Sequence, residues 1–199
     1  MKTIQKITKA SLYLFLAAAL MVSCKKDDDT PKPEGGGSTP PPNEEELITS
    51  VKLTFEDTTG IQPTIVVWFR DPDGEGGNAP TQFDTIRLAA NTVYTASIEL
   101  LDESKNPVEN ITEEVEEEAD EHLFCYSPSN VNLSIVRTDI ELDYGVGGTL
   151  EVGITTQWTT GNASIGSTQV VLKHQPGIKD GTCAPGDTDV ELNFITEIQ

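Results

Sequence analysis

From Leu47 onward the chain alternates apolar and polar residues with a period of two, and that pattern limits it to half-buried β-strands. Val51, Leu53 and Phe55 alternate with Lys52, Thr54 and Glu56. The alternation returns at Leu150, Val152 and Ile154 with Trp158 further on, at Val170, Leu172 and His174, and at Val190, Leu192 and Phe194. Residues two apart on a strand share a face, so each segment offers one apolar face to a core and one polar face to water. Thr64 to Phe69 is a denser apolar run, read as a strand covered on both faces, and Val131 to Val136 is read as another strand. Turn clusters at Thr58-Thr59-Gly60, Ser127-Pro128-Ser129-Asn130, Gly145 to Gly148 and Gly161-Asn162 separate these runs at the spacing of a sandwich. Residues 47–199 are therefore expected to form one all-β domain, a single antiparallel sandwich of about eight strands. One short acidic helix is expected from Ile111 to about Glu121. Asn110 and Glu113 have the spacing of a capping box, and Ile111, Val115, Ala119 and His122 fall on one face.

A local signature narrows the sandwich type. Leu88-Ala89-Ala90-Asn91-Thr92-Val93-Tyr94, running on into Ala96, Ile98 and Leu100, resembles the tyrosine-corner entry of fibronectin type III and immunoglobulin-like domains. There a Tyr near the start of a strand sends its hydroxyl back to an upstream backbone group. The resemblance implies an immunoglobulin-like sandwich. It departs from fibronectin type III in position, since about three strands precede Tyr94 and about five follow; the competing reading is an ordinary edge tyrosine.

Ahead of the domain the composition changes twice. Lys2, Lys6 and Lys9 precede an apolar run from Leu12 to Met21 that is too short to span a bilayer, and Met21-Val22-Ser23-Cys24 closes it. Residues 1–23 are read as a lipoprotein signal peptide and Cys24 as the lipidated residue, which makes the membrane a partner through the lipid anchor. The competing reading is an ordinary secretory signal cleaved near Ala19. Residues 24–46 are an acidic tether rich in proline and glycine, with Gly35-Gly36-Gly37, Pro40-Pro41-Pro42 and no large apolar side chain. Such a chain buries nothing, and its root-mean-square span is roughly 25 Å.

Cys24 followed by Lys25-Lys26-Asp27-Asp28-Asp29 resembles Bacteroidota lipoproteins in which a tract of this kind directs export to the cell surface. The resemblance implies an outer-membrane anchor facing the cell exterior; a plain solvated charge run is the alternative. Residues 1–23 carry three of the 13 basic residues and none of the 33 acidic ones, which leaves 10 against 33, a formal charge of −23. A polyanion of that size repels phosphate, so nucleic acid is excluded as a partner.

Four sets of residues offer chemistry. Asp71, Asp73, Glu75 and Asn78 place oxygen side chains along a glycine-rich loop that resembles the first half of a calcium loop. An EF-hand needs a bidentate Glu at the twelfth position, where Gln82 stands, so only a looser calcium site completed by backbone carbonyls is compatible. The bland alternative is a polar hairpin loop. Glu113, Glu114, Glu116, Glu117, Glu118, Asp120 and Glu121 form an acidic run leading into His122. A charge run ordinarily makes a solvated face, but His122, His174 and one of Glu118 or Glu121 are also a ligand set for a transition metal. Cys125 and Cys183 are an even pair in an oxidising compartment and are read as a disulfide, with two separate buried residues as the alternative. Asp57-Thr58-Thr59 and Asp84-Thr85-Ile86 resemble the Bacteroidota O-glycosylation acceptor, which marks Thr58 and Thr85. Catalysis is not expected: Ser164, in Gly161-Asn162-Ala163-Ser164-Ile165-Gly166, lacks the glycine spacing of a nucleophile elbow, and no phosphate-binding loop or zinc-protease motif occurs.

Taken whole, residues 47–199 resemble a family of Bacteroidota lipoproteins that share the acidic Asp-Gly-rich loop, the Ala-Asn-Thr-x-Tyr strand entry and a Glu-rich stretch ending in Asp-Glu-His. Its common label, type 1 periplasmic binding fold, implies an α/β architecture with which the strand pattern disagrees. No activity comes with the family; the anchor, the tether and the acidic sandwich together lead to the expectation of a non-catalytic ligand-binding or transporter-accessory module, with a TonB-dependent outer-membrane receptor as the inferred partner. The alternatives are a structural or adhesive surface sandwich and a calcium-stabilised glycan-binding module.

Overall fold

A computed structural model describes residues 47–199 except Glu75. The signal peptide, Cys24 and the tether lie outside the described residues. Eleven strands run in chain order: β1 Ser50–Asp57, β2 Ile65–Arg70, β3 Gln82–Phe83, β4 Ile86–Leu88, β5 Val93–Asp102, β6 Glu109–Asn110, β7 His122–Ser129, β8 Leu133–Arg137, β9 Thr155–Thr160, β10 Ser164–His174 and β11 Asp187–Ile198. A helix, α1, spans Thr112–Glu117, and a 3-10 turn spans Glu141–Tyr144.

The strands form a two-sheet sandwich. One sheet has the order β3-β2-β1-β5-β9-β8, with β6 beside β5, and the other has the order β4-β11-β10-β7. The blocks β1-β5-β9-β8 and β11-β10-β7 reproduce the A-B-E-D and G-F-C sheets of the immunoglobulin fold. The β2–β3 hairpin extends the first sheet beyond its A-position strand. All named pairings are antiparallel except β4 with β11, which is parallel and adds a short strand to the otherwise antiparallel plan. The count exceeds eight because β3, β4 and β6 are only two or three residues long.

The inward faces meet in one core. Val51, Leu53 and Phe55 of β1, Ala96, Ile98 and Leu100 of β5 and Trp158 of β9 pack against Phe124, Val170, Leu172 and Phe194 of the facing sheet. Trp158 is fully buried with Phe55 edge-on at 4.9 Å, and its indole N–H donates to Thr156 Oγ1 at 2.8 Å. Side chains of this size each contribute about 1.5–3 kcal/mol on burial. Tyr94 is also buried, and its hydroxyl accepts the N–H of Ala89 at 3.0 Å. That closes a corner, although Tyr94 lies on the B-position strand and not on F, where the immunoglobulin corner stands.

Four expectations change. β2 is not covered on both faces: Val67 is buried with its partner Leu53 while Val66 is 45 % exposed, because the facing sheet covers only the inner face. The helix is six residues long and closes at Glu117; Asn110 donates its side-chain amide to Glu113 Oε1 at 3.2 Å and accepts Thr112 N–H at 3.2 Å, so the expected pair meets without the reciprocal backbone bonds of a capping box. β7 runs through Ser127-Pro128-Ser129 before the chain turns at Asn130, which has φ 57°. Pro128 fits there because β7 is an edge strand, where a missing N–H costs no ladder bond. Leu150 to Ile154 is not a strand: the amides of Gly153, Ile154 and Thr155 go to the Asp139 carboxylate at 2.8, 2.8 and 3.1 Å. Its carbonyls tie the two sheets together, Val152 accepting from Phe124 N–H and Ile154 from Ile98 N–H.

Candidate metal centre at the loop-bearing end

In the immunoglobulin arrangement the B–C, D–E and F–G connections lie at the same end of the sandwich. Here these are the segments after β5, β8 and β10, and side chains bind them to one another. Lys179, from the connection after β10, puts its Nζ 3.0 Å from Glu141 Oε1 in the connection after β8 and 2.6 Å from the carbonyl of Ala119 in the connection after β5. Cys183 is joined to Cys125 of β7, with a Cα separation of 6.1 Å. Gln175 donates its backbone N–H to the Glu121 carbonyl at 2.6 Å and its side-chain amide to the carbonyls of Thr182 and Pro185.

Two histidines close the core beneath these loops. His122 opens β7 and His174 ends β10, and strand register sets them directly opposite each other. Both belong to the inward rows that contain Phe124 and Leu172, so they are 2 % and 5 % exposed. Their rings stack with centroids 4.6 Å apart and planes 7° from parallel.

Carboxylates surround the pair. Glu118 Oε2 lies 4.0 Å from His122 Nδ1, Asp189 Oδ2 lies 3.9 Å from His122 Nε2, and Glu121 Oε2 lies 3.4 Å from His174 Nε2. The carbonyl of Glu118 also lies 3.2 Å from His122 Nδ1. Burial, then the neighbouring His174, pushes the imidazolium of His122 down to about 4, so the ring is neutral at pH 7. Partial burial and the charge of Glu121 hold the Glu118 carboxyl above its usual range, while His174 draws it down. One ligand atom each from Glu118, His122 and His174 lie within 4.8 Å of one another. Two imidazoles with a carboxylate beside them make the donor set of zinc and related divalent ions.

The sequence expectation of His122 and His174 with Glu118 or Glu121 is thus one cluster in space. Asp189 was not foreseen. Leu172 pairs with Val190 while Lys173 pairs with Thr188, so Asp189 is the extra residue of a β-bulge and is re-aimed toward His122. A regular period-two count through β11 conceals it.

The remaining candidates lie elsewhere. In the loop after β2, Asp73 Oδ2 accepts the backbone and side-chain N–H groups of Asn78 at 2.8 and 2.7 Å, and Asp71 Oδ1 is buried without a hydrogen-bond partner among the described residues. Asn78 therefore presents its amide nitrogen, not its oxygen, to Asp73; Glu75 is outside the described residues. Thr58 is exposed and donates to the Val93 carbonyl at 3.0 Å, and Thr85 is half-buried just ahead of β4. Ser164, at the start of β10, accepts the N–H of Asn132 at 2.9 Å. A groove lined by Tyr126, Ile135, Val136, Arg137 and Glu151 runs between the edge strands β7 and β8, with Arg137 held by Glu151 at 2.7 Å and by the Phe124 carbonyl at 3.1 Å. Comparison with protein-family models, with curated proteins and with solved structures found no match to the chain.

Proposed function

We propose that the chain is a lipid-anchored, non-catalytic ligand-binding module of the outer membrane, held through Cys24 with its domain facing the cell exterior and working beside a TonB-dependent receptor. The observation that carries the reading is the loop-bearing end of the sandwich, where Lys179, the Cys125–Cys183 bond and Gln175 brace the three connections around the buried histidine pair. A braced end loses little conformational freedom when a ligand docks, which is the physical requirement of a binding face. The acidic residues of the first connection give that end a negative field, so cationic ligands are favoured over anionic ones. The anchor and tether place such a face within reach of a membrane transporter while holding it clear of the headgroups.

Isolation of the lipidated protein from detergent extracts tests the reading. Co-purification of a TonB-dependent receptor that is lost when exposed acids of the loop-bearing end are reversed by Glu117→Lys and Asp120→Lys supports it. Clean monomer without receptor, together with loss of cell attachment on deletion, replaces it with a structural or adhesive role.

A further inference from the structure

We infer that His122, His174 and Glu118 form a site for a single divalent transition-metal ion of the zinc type. The inference rests on the binding-module reading and names the class of ligand for that end of the domain. It stands on four features of the cluster.

First, the two imidazoles are buried yet directly opposed, a costly use of two polar rings at positions whose neighbours in each row, Phe124 and Leu172, are apolar. Second, the set is mixed: two nitrogens and an oxygen lie within 4.8 Å of one another. Tetrahedral zinc with bonds of about 2.0–2.1 Å brings donors to roughly 3.4 Å apart, so the site closes by up to about 1.4 Å around the ion. Glu118 supplies much of that movement, since its side chain is 53 % exposed and free to swing. The rings supply the rest by tilting out of their stack, because an ion must lie near the plane of each imidazole it binds. Third, a carboxylate stands within hydrogen-bond reach of one ring, Glu121 at 3.4 Å from Nε2 of His174, with Asp189 further off at 3.9 Å from Nε2 of His122. Metal-binding histidines are oriented by such partners, which take the N–H and leave the other nitrogen to the metal. On His122 the Nδ1 that faces the Glu118 carboxylate also stands 3.2 Å from the Glu118 carbonyl, which can only accept, so that bond gives way when Nδ1 takes the ion. Fourth, the ion has a path, since Glu118 is at the surface and the buried histidines lie directly behind it.

Three protein donors leave a tetrahedral ion one position for water or for a group brought by a partner. An ion so held bridges the domain to a donor on a receptor or on a metal chelate, which is how the site would serve the module.

The test uses the full extracellular chain, stripped with chelator and titrated with zinc or cobalt(II) alone. The expected result is one ion per chain, with cobalt giving the intense visible absorption of a four-coordinate site. Glu121→Gln is a positioning change and is expected to weaken binding about tenfold or more without altering stoichiometry. His122→Gln combined with His174→Gln is expected to abolish binding, while Glu113→Gln, outside the cluster, leaves it unchanged. If the double variant does not fold, protection of both histidines from diethyl pyrocarbonate by zinc in the unaltered chain gives the same information. Failure of the unaltered chain to bind stoichiometric metal, or retention of binding in a folded double-histidine variant, overturns the site. The two readings fail separately: receptor co-purification together with no stoichiometric metal in the unaltered chain leaves the binding module standing and overturns the metal site, whereas one ion per chain without a receptor does the reverse.

Discussion

Lys179 and Glu141 form an ion pair 3.0 Å long whose side chains are 2 % and 5 % exposed, joining two loops far apart in sequence. Burial pulls the Lys179 ammonium below its usual range, and the adjacent Glu141 carboxylate draws it back up. Removing one partner leaves the other charge buried, which costs about 3–5 kcal/mol. Lys179→Met is therefore expected to lower the urea midpoint strongly, and Glu141→Leu added to it is expected to recover much of the loss. A double-mutant cycle on urea unfolding measures this; independent, additive effects would show that the pair is not coupled.

The Cys125–Cys183 bond closes a loop of 58 residues, for which chain entropy gives about 4 kcal/mol of stabilisation. Replacing both cysteines by alanine is expected to remove roughly that amount. Because Gln175 and Lys179 also hold the connection after β10, the loss is expected to fall unevenly, with faster amide exchange in residues 175–186 than in β10. Hydrogen exchange on the alanine variant reads this directly.

Asp139 accepts N–H groups from Gly153, Ile154 and Thr155 and the hydroxyl of Tyr144 at 2.6 Å, so one carboxylate organises the chain that bridges the two sheets. Asp139→Ala leaves four donors without their acceptor, each worth about 1 kcal/mol or more when buried. A loss of about 3 kcal/mol or more is expected, accompanied by release of the Phe124 amide from the Val152 carbonyl. Thermal unfolding gives the first quantity and amide exchange at Phe124 the second; a change below 1 kcal/mol, by the same estimate, would contradict the assigned role.

Asp57 predicts an acid limb. Its carboxylate accepts the N–H groups of Thr59, Gln62 and Ile61, and these bonds hold its pKa below 3.8. The folded state thus binds its proton less readily than the unfolded chain, so this contribution to stability is present above pH 3.8 and is lost as pH falls through the lower folded value. The stability gap between the native chain and Asp57→Ala is expected to be constant near neutrality and to narrow below pH 3.8. Urea midpoints for both proteins at neutral and acid pH decide it, and a gap that widens in acid would refute it.

Much of the inward face was legible in the residues. Val51, Leu53 and Phe55, and likewise Val170, Leu172 and His174, alternate because strand side chains alternate, and every one of them is buried. Alternation reports burial more faithfully than it reports hydrogen bonding. Val152 and Ile154 are buried as the pattern requires, yet their segment is no strand, because Asp139 takes its amides. Ile111, Val115 and Ala119 are buried on one side although the helix itself stops at Glu117. The ion pair of Lys179 with Glu141 and the bulge at Asp189 left no mark in the sequence, since each depends on which loops meet and where a register slips.

The sequence by itself determined which side chains turn inward, that the domain is built of strands, and that its net charge is strongly negative, because these follow from local periodicity and composition. Tertiary structure alone decided that His122 and His174 are cross-strand neighbours with Glu118, Glu121 and Asp189 around them. The reason is physical: strand pairing joins residues of any separation, and only the register of β7 on β10, with a bulge in β11, brings these five groups to one place.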